Sequence, residues 1–183
     1  SARKNNDILQ ITVPEAVILL DSSEYHFTEA VDSAAYDAIG LGPGLGTKEP
    51  TAIAIISQLR RSQQIPCVVD ADAINILSTH RAWLQQIPKG TIFTPHPKEF
   101  DKLYETPAKE SYERLSNAIE MAKRLECFIL LKGHHTMLCT PEGNVYINTT
   151  GNAGMATAGS GDVLLGIITA FLARGYERLQ AAR

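Results

Sequence analysis

Apolar runs and polar punctuation alternate along the chain, and the runs come in two lengths. Short, β-branched or aromatic runs predict strands: "YDAIGL" (Tyr36–Leu41), "PCVVDAD" (Pro66–Asp72) and "CFILLKG" (Cys127–Gly133). "AVILL" (Ala16–Leu20) predicts another. Helical spacing lies between them. Ile53, Ile56 and Leu59, at i, i+3 and i+6, predict a helix over Pro50–Arg61, and Tyr112, Leu115, Ala118, Ile119, Ala122 and Leu125 outline one face of a longer one. "GTIFTPHPKEFDKLY" (Gly90–Tyr104) reads as strand, turn and helix, with Pro97 suited to a first turn and Glu99 and Asp101 to its positive end. "TMLCTPEGNVYIN" (Thr136–Asn148) predicts a hairpin turning at Pro141–Asn144. "VLLGIITAFLA" (Val163–Ala173) is apolar all round, which predicts a buried helix.

Strands alternating with helices predict an α/β protein with a mostly parallel sheet covered on both faces and one antiparallel section at the hairpin. Ligands of such sheets gather where the strands' carboxyl ends open into loops. Five loops there carry chemistry: "GPGLG" (Gly42–Gly46), "DADAIN" (Asp70–Asn75), "TPHPKE" (Thr94–Glu99), "KGHHT" (Lys132–Thr136) and "NAGMATAGSGD" (Asn152–Asp162). Their convergence is a stronger signal than any one of them.

Composition narrows the class. A chain of 183 residues, 44% hydrophobic and 20% charged, suits one ordinary globular domain. A net charge of -3 without a basic patch argues against nucleic acid and membrane surfaces as partners. No apolar run has the length of a membrane-spanning helix, and no secretory leader is visible. Cys67, Cys127 and Cys139 are far apart, each in an apolar run. They read as buried reduced thiols of a cytosolic protein, neither a zinc set nor a disulfide framework.

Asp162 is the central candidate. A helix N-terminus has unpaired N–H groups and about half a positive charge, and Gly159 and Gly161 let an anion approach them. As a cap, Asp162 would contribute ~0.3–1 kcal/mol. Beside a phosphate cradle, it can take a proton from an attacking hydroxyl, and the long glycine-rich approach favours that role. The other loops are more ambiguous. "GPGLG" lacks the dinucleotide fingerprint and suits a turn or a ligand contact equally. Asp70, Asp72 and Asn75 are solvated turn residues or contacts to magnesium, water or phosphate. His96, between two prolines, has few helical reasons to stand beside Glu99. Lys132 at a strand end is a surface lysine or a point charge for phosphate. His134 and His135 project differently as sequence neighbours and lack a third ligand, so no protein-only metal site is expected.

Taken in order, "GLGPGLG", "VVDADAINIL", "TPHPKE", "LLKGHHT" and "GNAGMATAGSGDVLLGII" resemble the NAD(P)H-hydrate dehydratase family, from about Pro14 to the end of the chain. The resemblance implies a ribokinase-like three-layer α/β/α fold. It implies repair of hydrated NADH or NADPH with ADP or ATP and magnesium, in a homo-oligomer, usually a tetramer. By the same resemblance Asp162 is the catalytic aspartate and Gly159, Ser160 and Gly161 form the anion hole. Lys132, Gly133, His134, His135 and Thr136 then meet the adenine nucleotide, and Gly44, Gly46 and His96 meet the hydrate. Asp70, Asn75 and Glu99 are candidates for a magnesium or phosphate network. Lys98 replaces the family's usual glycine in "TPHPGE". The resemblance further implies that residues 1–183 are one catalytic domain lacking the family's initial strand and glycine-rich segment and its last helix. Two rivals are a ribokinase-like kinase for a vitamin-precursor alcohol, which would stop at the phosphoester, and a non-catalytic adenylate-binding module. The full motif set and the intact Asp162 argue against them.

Overall fold

A computed structural model describes residues Ser1–Arg183. Six strands form one sheet in sequential order: β1 (Ile39–Leu41), β2 (Cys67–Val69), β3 (Ile92–Phe93), β4 (Phe128–Leu131), β5 (Met137–Cys139) and β6 (Val145–Ile147). The first four run parallel, in registers such as Ile39 opposite Cys67, Val68 opposite Ile92 and Phe93 opposite Ile129. The predicted hairpin supplies the antiparallel part, with Leu130 opposite Leu138 and Leu138 opposite Tyr146.

The sequential strand order decides the layering. Right-handed crossovers between neighbouring parallel strands all return over the same face. Four helices therefore share that face: α2 (Glu49–Arg61), α3 (Ala71–Thr79), α4 (Pro97–Tyr104) and α5 (Ser111–Leu125). The other face is left to α6 (Ser160–Ala173) and α7 (Arg178–Ala182), while α1 (Asn6–Thr12) lies before the sheet. Strand alternation feeds both sides. Val69, Phe93, Ile129, Leu131 and Cys139 enter the core under α2–α5, and Val68, Ile92, Leu130 and Leu138 meet Ile168 and Leu172 of α6. Both faces being covered, the strands read as unbroken apolar runs.

Four expectations change. Ala16–Leu20 forms no strand; Val17 and Leu19 are exposed. A strand exists only as a ladder, and this stretch is held at its end by the Ser1 ammonium, which donates to the Leu19 carbonyl at 2.7 Å. On α2, the buried face is Ala52, Ile55, Ile56 and Leu59, while Ile53 faces outward. On α5, Tyr112 is likewise outside, and Met121 joins Ala118, Ala122 and Leu125 inside. Helix α6 is not buried all round. Leu164, Leu165, Ile168 and Leu172 face the sheet, but Val163, Ile167 and Phe171 are 62%, 49% and 42% exposed. One helix can press only one face onto a sheet, so composition alone overstates its burial.

Candidate active site

The carboxyl ends of β1–β4 bring the five loops to one edge. After β1, Gly42, Gly44 and Gly46 all have positive φ. At Gly42 a side chain is impossible, since a Cβ would lie 1.8 Å from the Asp70 carbonyl. The loop is anchored further along, where the Gly46 N–H donates to Asp72 Oδ2 at 2.8 Å. Ala71, between Asp70 and Asp72, has φ 45°, a left-handed conformation that costs a non-glycine residue about 1–3 kcal/mol. Nothing in the sequence signals that strain.

Asp70 and Lys132 form the centre. Lys132 Nζ lies 2.8 and 3.1 Å from the two Asp70 oxygens, with side chains 22% and 2% exposed. The pair spans β2 and β4, and Lys132 N–H also donates to the Pro95 carbonyl at 2.9 Å. Gly161 abuts the pair: a Cβ there would lie 3.3 Å from Lys132 Nζ and 3.5 Å from Asp70 Oδ2. The structure thus brings Asp70, Lys132 and the start of α6 together.

The start of α6 is open. Gly159 takes φ 86° as the N-cap, and no side chain caps the helix. Ser160 N–H is spent on the Thr157 carbonyl at 3.3 Å, as is its hydroxyl at 2.8 Å. The Gly161 and Asp162 amides find no acceptor in the chain, and the exposed Asp162 carboxylate makes no ion pair. Its position in the first turn would suit a cap, but no capping bond forms. The amides are left for an anion.

The remaining candidates are placed differently. His96 has the helical reason that the sequence did not suggest. It is the N-cap of α4: Nδ1 accepts from Glu99 N–H at 3.2 Å, and Glu99 Oε2 accepts from His96 N–H at 2.8 Å, a reciprocal capping box. Its Nε2 also lies 3.3 Å from Glu99 Oε1, and the ring is half-exposed. Glu99, 8% exposed and engaged in that cap, does not join Asp70 in a network. Asn75 uses its backbone carbonyl to accept from Ser78 and Thr79, and its side chain reaches neither acid. Thr136 closes its own loop, donating to the Gly133 carbonyl at 3.0 Å. The rings of His134 and His135 do not diverge; they meet edge to face with centroids 4.5 Å apart. No group of three or more His, Cys, Asp or Glu side chains is arranged for a metal ion. Gly151 brings the last loop against "KGHHT", since a Cβ there would lie 1.7 Å from the His134 carbonyl.

A mostly parallel sheet between two helix layers, with an uncapped, glycine-opened helix start beside a lysine, defines an α/β protein of the three-layer, kinase-like fold class. The pattern of one family, NAD(P)H-hydrate dehydratase, matches residues 2–183, and the chain belongs to that family. It is 39% identical over 177 residues to the bifunctional NAD(P)H-hydrate repair enzyme Nnr of Moorella thermoacetica, covering 96% of this chain and 33% of that protein. It is 40% identical over 145 residues to the ADP-dependent (S)-NAD(P)H-hydrate dehydratase of Neisseria meningitidis serogroup B, covering 78% of this chain and 49% of the relative. Among solved structures it resembles the Bacillus subtilis ADP/ATP-dependent NAD(P)H-hydrate dehydratase co-crystallized with ATP/Mg2+, at a TM-score of 0.77 and 28% identity. That match covers 99% of this chain and 63% of the other. The hydroxyethylthiazole kinase of Pyrococcus horikoshii, at 13% identity and a TM-score of 0.66, shares the fold. The chain spans a third to a half of the length of the curated relatives named here.

Proposed function

We propose that this chain carries the ADP- or ATP-dependent dehydration of hydrated NADH or NADPH. The observation that carries the reading is the open start of α6, where Gly161 abuts the Lys132–Asp70 pair and the Asp162 carboxylate is unbonded. Hydroxide is a poor leaving group and phosphate a good one. Asp162 takes the proton from the hydrate's ring hydroxyl. The oxygen attacks the terminal phosphoryl group, and the bond to the remaining AMP or ADP breaks. The Gly161 and Asp162 amides and the Lys132 ammonium hold the charge that spreads over the transferring oxygens. The ring nitrogen's electron pair then expels phosphate, the neighbouring ring carbon loses a proton, and the dihydronicotinamide is restored. His96 and the loop glycines Gly44 and Gly46 hold the hydrate against this edge.

Magnesium fits as an ion carried on the nucleotide's phosphates. Magnesium keeps several waters and takes one or two carboxylates along with phosphate oxygens, and Asp70 is the buried carboxylate beside the open amides. When bound, it would neutralise charge on the phosphates. Reduced, buried thiols suit a cytosolic enzyme, and homo-oligomeric assembly follows from the family resemblance.

Asp162→Asn in the complete protein is the decisive test. The return of absorbance at 340 nm from hydrated NADH should slow by roughly 10²- to 10⁴-fold, with ADP still bound. Turnover within a few-fold of wild type would sink Asp162 as the base. A stable phosphoester product, in place of dihydronicotinamide and free phosphate, would favour the kinase alternative.

A further inference from the structure

One flank of α4 carries charge that the chain does not neutralise. Lys98 and Lys102 stand four residues apart, on one stripe of the helix, and both are exposed. Like charges at that spacing repel, and Lys98 lies in the first turn, against the positive end of the helix dipole. The nearby acids are already taken. Asp101 accepts from Arg114 Nε and Nη2, both at 2.8 Å. Glu105 is paired with Arg81 at 2.8 Å.

Arg81 adds a third cation with an unused donor. Its Nη2 donates to the Lys102 carbonyl at 2.7 Å, but its Nε is buried without a partner. Ser78, Arg81, Lys98, Asp101, Lys102 and Glu105 line a cavity of about 550 Å³. It begins two residues beyond His96 and follows α4 from Lys98 to Glu105, roughly 10 Å at 1.5 Å per residue.

We propose that this cavity binds a phosphate monoester of the hydrated dinucleotide, the one on the adenosine 2′-oxygen that distinguishes NADPH-hydrate from NADH-hydrate. The inference rests on the dehydratase reading above. With the nicotinamide ring held at His96, the adenosine half lies beyond a pyrophosphate and a second ribose, so its 2′-phosphate falls well away from the reacting hydroxyl. A doubly charged phosphate offers Lys98 and Lys102 the counter-charge that the chain withholds.

Lys98→Ala/Lys102→Ala in the complete protein tests it. With ADP as donor, kcat/KM for NADPH-hydrate should fall roughly tenfold, the size that two exposed charge contacts supply. For NADH-hydrate it should stay within about twofold. An equal loss on both hydrates would overturn the proposal and indicate a pyrophosphate contact or general damage, and no loss on either would overturn it outright. A second arm does not need turnover. Wild type should bind adenosine 2′,5′-bisphosphate more tightly than 5′-AMP by calorimetry, and the double variant should lose that difference. If wild type turns over neither hydrate, the dehydratase reading fails, while the calorimetric difference still decides the cavity; equal affinities in wild type would overturn it.

Discussion

Helices α4 and α6 begin at the same edge of the sheet, yet their first turns are finished in opposite ways. At α4, His96 and Glu99 satisfy each other's amides, and Glu99 is nearly buried in doing so. At α6, glycine replaces the capping side chain, two amides stay open and the acid in the first turn remains unbonded. Both turns contain an acidic residue, so acid near a helix start does not by itself mean a cap or a base. What separates them is whether the carboxylate's oxygens are already spent. Asp21 belongs with Glu99: it is buried and accepts from the Thr28 hydroxyl and from the amides of Ser23, Thr28 and Glu29.

The largest test of this contrast exchanges the two acids' expected phenotypes. Asp162→Ala should remove roughly 10²- to 10⁴-fold in rate and change stability by no more than about 0.5 kcal/mol, since no bond is lost. Rate and urea midpoint, measured on the same variant, check both halves; a stability loss above about 1 kcal/mol would reveal a cap.

Next comes the pair that α6 opens onto. Lys132→Met leaves the nearly buried Asp70 charge uncompensated, and it should cost about 3 kcal/mol, the low end for a broken buried pair because Lys132 is partly exposed. Adding Asp70→Asn should restore most of the stability without restoring turnover. A single Lys132→Met with a wild-type melting curve would show that the pair is not closed in solution.

The Asp21 carboxyl offers a pH signature of a spent acid. Burial acts to raise its pKa, but the Thr28 hydroxyl and the Ser23, Thr28 and Glu29 amides outweigh it and hold the value at about 2, below the ordinary 3.8. A depressed carboxyl stabilises the fold above its unfolded value and loses that contribution as pH falls through the folded one. About 2 kcal/mol should therefore be present above pH ~4 and vanish toward pH ~2. Denaturant melts from pH 5 to 2 on wild type and Asp21→Asn should converge at the acid end; parallel curves would contradict the linkage.

Glu99→Ala should show the reverse of Asp162→Ala. Losing the buried half of the capping box should cost about 1–2 kcal/mol, with a rate loss well below that of Asp162→Ala. Smallest of all, the three thiols should stay silent. Burial pushes Cys67 and Cys139 up to about 11 and Cys127 to about 12, so a disulfide reagent at pH 8 should label the folded protein only as it unfolds. Rapid labelling of any of them would show an opening that this fold does not contain.

The local and periodic features of this protein were legible in its sequence. Apolar runs placed β1 through β6, helical spacing placed α2 and α5, and prolines and acids marked the start of α4, because each depends on residues a few positions apart. The family, too, follows from the order of five short motifs, and its match to residues 2–183 agrees with that reading. Tertiary structure decided everything that needed a distant partner. Ala16–Leu20 has strand-like residues but no ladder to join. Val163, Ile167 and Phe171 are as apolar as Ile168 and Leu172, yet only the sheet's position determines which side is covered. The Asp70–Lys132 pair is separated by 62 positions, and the Asp72 bond to Gly46 by 26. Nor could residue types alone show that Glu99 is spent on a histidine while Asp162 is free. Hydrogen bonds compete for the same oxygens, and only the folded geometry sets which donor arrives.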